Sequence, residues 1–130
     1  MTQFAVLGSS QVIALHDYLI GQHELQGLSK DKSLDAVLER VHNRVRYGFI
    51  ADAYDLAACY AGFIAKGHCF NEANKRTAAA TLFFVLNANH HGVQFKDHTL
   101  GEWIVALVNH EKTETELAAW LRKLPKAEQK

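Results

Sequence analysis

The sequence predicts an all-α fold, a compact bundle of six helices. Proline occurs once, at Pro125, and only 8 of the 130 residues are glycine, so few positions interrupt a helix or favour the tight turns of β-proteins. Apolar residues recur every three to four positions along most of the chain, which is the period of an amphipathic helix. An apolar content of 48% is that of an ordinary globular core.

The first three helices follow from their apolar stripes. The first begins near residue 10, and the second follows a cap at Asp31 or Ser33. The positions that define the buried faces of these helices are Val12, Leu15, His16 and Leu19; Leu34, Val37, Leu38, Val41 and Val45; and Leu56, Tyr60, Phe63 and Ile64.

The last three helices follow from the same spacing. Their positions are Ala78, Leu82, Val85, Leu86 and Asn89; Leu100, Trp103, Ile104, Leu107 and Val108; and Leu117, Trp120, Leu121 and Leu124. The sixth helix begins at a capping box from Thr113 to Glu116 and ends before Pro125. Turns are expected near residues 21–29, 48–51, 67–73 and 91–98.

The fourth helix is predicted to be the central, buried one. Its residues Thr77 to Leu86 are small or apolar on almost every side, as expected of a helix surrounded by others. Burial would fix the start of this helix, and so the loop in front of it. One very short β element is predicted around Val93-Gln94-Phe95.

Chain length predicts the number of domains, and net charge bears on whether the protein binds nucleic acid. We expect one domain over residues 1–130, with a core from about 10 to 124 and a short polar tail at 125–130. Lys plus Arg equals Asp plus Glu at 14 each, so there is no basic footprint for nucleic acid and no direct nucleic-acid binding is expected.

The chain lacks signs of export or membrane insertion. Two cysteines, Cys59 and Cys69, form no metal or redox spacing. The N-terminal residues lack a basic region followed by an apolar run, and no apolar stretch is long enough to span a bilayer. A cytoplasmic protein without membrane association is expected.

The segment from His68 to Arg76 carries most of the functional information. It lies between the third helix, closed by Gly67, and the fourth, which starts near Asn74. A helix N-terminus presents unpaired N–H groups and a partial positive charge, which together form a phosphate site. Lys75 and Arg76 add cations for phosphate oxygens, and Arg76 can bind two of them at once.

The other side chains suit phosphate transfer to a hydroxyl group. His68 can take the proton of an attacking hydroxyl, and Glu72 is a hard oxygen ligand for magnesium. Asn74 can donate its amide to a phosphate oxygen, and Lys66 can add a further cation. Phe70 is expected to anchor the loop in the core and aim His68.

Each residue also has a simpler interpretation. A histidine at a helix end is often a cap, and Lys75 and Arg76 fit a solvated helix face. A glutamate near a helix start, such as Glu72, is expected from its favourable interaction with the helix dipole. Asn74 could simply be the N-cap of the fourth helix. Convergence of all of them on one helix end favours the phosphate site.

The segment resembles the signature of the Fic/Doc family, His-x-Phe-x-(Asp/Glu)-(Ala/Gly)-Asn-(Gly/Lys)-Arg, at every constrained position. Lys75 after the asparagine resembles the Doc (death-on-curing) branch of toxins. Further resemblances lie at Ile13-x-Leu15-His16 and at Asp55-Leu56-Ala57-Ala58. The likeness covers about residues 10 to 124 and implies a Fic/Doc-type bundle, in which His16 is read as structural, hydrogen-bonded beneath the site.

The resemblance implies a toxin of a toxin–antitoxin system. A Doc-type kinase transfers the γ-phosphate of ATP to a threonine of elongation factor Tu and stops translation. His68 would then be the base, Glu72 the Mg²⁺ ligand, and the remaining polar residues would bind the nucleotide phosphates. The residues assigned to phosphate binding are Lys66, Asn74, Lys75 and Arg76.

Two alternatives stay open. The first is a Fic-type AMP transferase, although such enzymes carry glycine at the position of Lys75 and a second arginine at that of Ala79. The second is a catalytically silent helical module that binds an antitoxin-like partner. Glu72 stands in place of the more usual aspartate, and magnesium binding is expected to survive this change. Ala80, in place of a polar residue, is expected to weaken nucleotide affinity, and neither change removes a reacting group.

The resemblance also implies a protein partner. Doc toxins are neutralised by a Phd-like antitoxin, whose disordered C-terminal segment folds into a helix in a groove of the toxin. The sequence does not locate that groove.

Overall fold

The computed structural model describes residues 3–127, which contain six helices and no strand beyond isolated bridges. The all-α prediction is therefore confirmed. The helices are α1 (Ser9–Leu19), α2 (Leu34–Arg46), α3 (Ala53–Gly67), α4 (Asn74–Ala88), α5 (Thr99–Val108) and α6 (Glu114–Lys123).

Side-chain caps set several helix starts. Of the two caps considered for α2, the structure uses Ser33, whose side chain accepts a hydrogen bond from the N–H of Ala36. The predicted capping box of α6 is present, because Thr113 and Glu116 each accept a hydrogen bond from the backbone N–H of the other.

The central helix is α3, and the prediction that the fourth helix is central is wrong. In α3, 11 of 15 residues are buried, and the helix packs against α2, α4, α5 and α6. In α4, Phe83 and Phe84 are 52% and 46% exposed. Small residues make α3 central: a Cβ at Gly62 would lie 2.5 Å from the Glu114 carboxylate of α6.

The packed part reaches beyond residues 10–124 at both ends. Leu7 is buried, and its N–H donates to the Tyr60 hydroxyl on α3 at 2.8 Å. The short β element is a single bridge, in which Val93 pairs with Lys126. Residues 125–127 of the predicted tail thus pack on the fold, and 128–130 lie outside the described residues.

No helix within residues 3–127 is both long and apolar enough to cross a membrane.

Candidate active site

The loop between α3 and α4 is bounded by two residues in the left-handed backbone region. His68 has φ 50° and ψ 41°, and Ala73 has φ 69° and ψ 26°. Outside glycine this conformation costs about 1–2 kcal/mol per residue. Gly67 is still helical and serves packing, since a Cβ there would lie 3.0 Å from Val37 on α2. The strained conformation is thus placed on His68 itself, whose side chain is exposed.

A buried pair of rings lies beneath the loop. Phe70 is 2% exposed, and its ring stacks on that of His16 from α1 with centroids 3.8 Å apart. His16 is fully buried, and its Nε2–H donates to the Glu72 carbonyl at 2.8 Å. The expectation that His16 is hydrogen-bonded beneath the site is confirmed. Both rings hold the loop to the core at its middle.

Asn74 closes the loop on itself. Its Oδ1 accepts from the Phe70 N–H at 3.0 Å, and its Nδ2 donates to the Phe70 carbonyl at 2.8 Å. The amide therefore fixes the backbone before the helix and has at most one N–H left for the phosphate role predicted from the sequence. Ala73, not Asn74, is the N-cap.

The N-terminus of α4 is open to an anion. The N-cap Ala73 has no side-chain oxygen, so among the described residues no cap side chain bonds the first turn. The backbone N–H groups of Asn74, Lys75 and Arg76 lie in that turn, where the helix itself offers them no acceptor. The side chains of Lys75 and Arg76 are exposed, so two cations flank a partial positive charge.

Glu72 lies in the loop, and one of its two carboxylate oxygens accepts a hydrogen bond from the backbone. Its Oε2 accepts a hydrogen bond from the Leu25 N–H, so Oε1 is the oxygen that could face a metal ion. Residues 3–127 contain no group of three or more His, Cys, Asp or Glu that could hold a metal. One carboxylate still fits magnesium in a nucleotide site, because that ion takes one or two protein carboxylates together with phosphate oxygens and water.

Residues 21–29, which we term the cover segment, lie over the loop. The Asn71 N–H donates to the Gly27 carbonyl at 3.0 Å, and the Ser29 N–H donates to the Cys69 carbonyl at 2.7 Å. The Asn71 side chain donates to the Gln26 carbonyl at 2.8 Å. These bonds connect the site loop to a part of the chain 40 to 45 residues earlier.

The cover segment also contributes a carboxylate, that of Glu24, to the start of α4. The Glu24 carboxylate forms an ion pair with the Arg76 guanidinium. The hydrogen bond from Arg76 holds the pKa of Glu24 below its ordinary range, and the same bond raises the pKa of Arg76. The Glu24 carboxylate is therefore bound to Arg76, the arginine that was predicted to bind phosphate.

Comparison with known proteins agrees with this geometry. The family model described as Fic/DOC family matches residues 6–86, a range that includes the whole site loop and the cover segment. The chain is 36% identical over 120 residues to a protein named "Protein kinase doc" from Escherichia phage P1, covering 91% of this chain and 94% of the relative. The chain belongs to the Fic/DOC family.

One predicted site residue of this Fic/DOC chain is engaged elsewhere. Lys66, near the end of α3, forms an ion pair with Glu114 in the first turn of α6. Its ammonium group also lies 5.8 Å from the centre of the Phe63 ring. The structure gathers the other predicted residues on the loop and the start of α4, whereas the charge of Lys66 is neutralised by α6.

Sequence reasoning missed the contact of the cover segment with the site loop, and it missed Glu24. It placed a turn at 21–29 but gave that turn no role. A local signal was the glycine at position 27, which adopts φ 85° in the structure. Glu24 carries no motif, because its importance comes from a contact with a residue 52 positions later.

Proposed function

We propose that this Fic/DOC chain is a toxin and a protein kinase, which transfers the γ-phosphate of ATP to a threonine hydroxyl of elongation factor Tu. One observation supports this most: an exposed histidine and a helix N-terminus with two cations border the same loop. The name of the phage P1 relative gives independent support for a kinase.

In the proposed reaction His68 acts as the general base. Its imidazole takes the proton of the threonine hydroxyl while the threonine oxygen forms a bond to the γ-phosphorus. The bond from the γ-phosphorus to the bridging oxygen breaks, and ADP leaves with that electron pair. The first-turn N–H groups of α4 and the guanidinium of Arg76 stabilise the negative charge on the transferred group.

Glu72 is the proposed magnesium ligand. Its Oε1 would hold the ion beside the helix N-terminus, where bound magnesium supplies positive charge to the nucleotide phosphates. The hydrogen bond from Leu25 orients the carboxylate for this role.

Transfer of the γ-phosphate rather than of AMP is proposed from two positions. Lys75 has a long side chain where AMP transferases have glycine, and Ala79 lacks their second arginine. In the structure Lys75 and Ala79 border the same space beside Arg76, so both differences affect how the nucleotide is held.

The deciding experiment uses purified protein, Mg²⁺, elongation factor Tu and ATP labelled at either the α- or the γ-phosphate. We expect label on elongation factor Tu from the γ-position alone. Label from the α-position would show an AMP transferase, and no label from either would favour the silent binding module.

We also propose a Phd-like antitoxin as partner, and the cytoplasm, where elongation factor Tu acts, as the place of action. A helical segment of the antitoxin would bind a groove of the toxin.

Glu24→Gln is expected to tighten ATP binding and to raise the transfer rate at low ATP concentration. The substitution removes the charge that competes with phosphate for Arg76. Since the pKa of Glu24 is lowered, the ion pair is complete at neutral pH and is lost only as pH falls through that lowered value. Titration calorimetry with ATP at neutral pH measures the effect.

The matched control is Glu39→Gln, which breaks a comparable exposed pair with Arg46 on α2. It is expected to leave ATP affinity unchanged. Equal ATP affinity in wild type and Glu24→Gln would show that Glu24 does not compete with the nucleotide.

A further inference from the structure

A second cavity, of about 330 Å³, is lined by side chains of α2, α3 and α6 and of the turn between α2 and α3. Its walls combine aromatic and aliphatic side chains with charged groups of both signs. Cavities that bind small molecules measure about 300–1,000 Å³ and combine apolar walls with a few polar groups. This cavity therefore has the size for a small ligand, and its charged groups narrow the choice.

A tight turn after α2 holds a phenylalanine at the rim of this cavity. Gly48 has φ 77°, the Phe49 N–H donates to the Arg44 carbonyl at 2.9 Å, and the Gly48 N–H donates to the Val45 carbonyl at 3.2 Å. These two bonds form a Schellman motif, a common end of a helix at a glycine. The Phe49 side chain thus lines the cavity although the residue is 71% exposed. A ring held in this way offers an apolar surface to a ligand.

Arg44 supplies the cavity with a positive charge that lacks a carboxylate partner. Its guanidinium carbon lies 5.2 Å from the centre of the Phe63 ring, and it forms no ion pair within residues 3–127. Arg46, two positions later, is by contrast paired with Glu39. The guanidinium of Arg44 can therefore bind the carboxylate of a ligand through two parallel hydrogen bonds.

Glu114 supplies a negative charge with one oxygen open. Its Oε1 accepts a hydrogen bond from the Lys66 ammonium group, and no residue of the described part of the chain donates to Oε2. The side chain packs against the backbone of α3, because a Cβ at Gly62 would lie 2.5 Å from Oε1. Glu114 is thus fixed at the wall, with Oε2 left to accept a hydrogen bond from a ligand.

The other polar groups of the cavity are satisfied or uncharged. Both carboxylate oxygens of Asp55 accept hydrogen bonds, one from the Ala51 N–H at 3.0 Å and one from Arg122 at 2.7 Å. Burial raises the pKa of the Cys59 thiol to about 11, so this wall is uncharged at neutral pH. A ligand accordingly meets one open cation and one open carboxylate oxygen.

We propose that this cavity binds an apolar α-amino acid, with the carboxylate on Arg44, the ammonium group on Glu114 and the side chain against Phe49 and Phe63. A ligand with a single charge would meet a like charge in the same cavity, whereas an α-amino acid carries both charges on one carbon. The inference is independent of the proposed function, because neither a nucleotide nor a target protein takes part in it.

Titration calorimetry of the wild-type protein with L-phenylalanine is the first test. Two analogues each remove one charge: phenethylamine lacks the carboxylate, and 3-phenylpropionate lacks the ammonium group. We expect each analogue to bind roughly 10–100-fold more weakly than L-phenylalanine, the usual effect of losing a hydrogen bond between charged groups.

Arg44→Gln tests the carboxylate contact with little risk to the fold, because Arg44 is exposed. The Kd of L-phenylalanine is expected to rise by roughly the same 10–100-fold. The Kd of phenethylamine, which has no carboxylate to lose, is expected to be no higher than in the wild type. The matched control is Arg46→Gln, which removes the same charge outside the cavity and should leave both Kd values unchanged.

Phe49→Ala tests the apolar wall. The Kd values of L-phenylalanine and of both analogues are expected to rise together, because all three have the same ring. Tyr47→Ala is the matched control, since Tyr47 belongs to the same turn and is 70% exposed but does not line this cavity. It should leave all three Kd values unchanged.

Absence of L-phenylalanine binding by the wild type at millimolar concentration would overturn the proposal. Equal affinity for L-phenylalanine and 3-phenylpropionate would contradict it by showing a site for a carboxylate alone, such as the C-terminus of a peptide. Equal affinity for L-phenylalanine and phenethylamine would likewise exclude a contact between the ligand carboxylate and Arg44. An equal rise of Kd in Arg44→Gln and Arg46→Gln would place the binding elsewhere on the protein.

Discussion

His68→Ala is expected to lower the rate of phosphate transfer by about 10²–10⁴-fold, the usual contribution of a general base. Alanine cannot accept the proton of the attacking threonine. The Kd of ATP should stay the same, because in the proposed site α4 and its cations, and not His68, bind the phosphates. Single-turnover transfer with saturating γ-labelled ATP measures the rate, and calorimetry measures the affinity.

His110→Ala is the matched control. His110 is exposed and also adopts a left-handed conformation, with φ 59°, but it follows α5 and not α3. Both variants place alanine on the same kind of strained backbone, so a loss confined to His68→Ala must come from the imidazole. Full transfer by His68→Ala would exclude His68 as the base.

His16→Ala is expected to lower the free energy of unfolding by about 3 kcal/mol, from a large buried ring lost and a carbonyl left without its donor. For a chain of this size the melting temperature would fall by roughly 10 °C. The larger effect is on activity, since the loop loses both the stacking on Phe70 and the bond to the Glu72 carbonyl. Urea unfolding and transfer rate per folded molecule measure the two effects.

Two further variants separate the contributions. His16→Phe keeps a ring against Phe70 but removes the hydrogen bond, so it should retain most stability and lose activity. His42→Ala removes a histidine bonded to the Leu7 carbonyl at 3.1 Å, away from the site loop. It should lower stability and leave the rate per folded molecule unchanged. Equal activity of His16→Phe and wild type would show that the hydrogen bond to Glu72 does not position the loop.

The helices and the signature could be predicted because their signals are local. A stripe of apolar residues, a serine cap and a capping box are each encoded within about one or two helical turns. The same is true of the segment from His68 to Arg76, whose residue types alone indicate phosphate chemistry. These features depend little on how the helices are arranged.

The packing of the helices against one another could not be predicted from such local signals. Composition favoured the fourth helix as the central one, but burial depends on which faces the other helices cover, and Phe83 and Phe84 remain partly exposed. The contacts of the Asn74 and Lys66 side chains could not be predicted either. Asn74 bonds the backbone of Phe70, and Lys66 is paired with Glu114, 48 residues away.

Because Glu24 pairs with Arg76, ATP would meet two populations of the protein, one with the ion pair formed and one with it broken. Phosphate can use Arg76 only in the fraction of molecules in which Glu24 has moved away. The apparent Kd of ATP therefore equals its intrinsic Kd divided by that fraction. Anything that holds residues 21–29 in place lowers the fraction, and a target protein that draws them aside raises it. A target protein of this kind would increase the affinity for ATP without contacting the nucleotide.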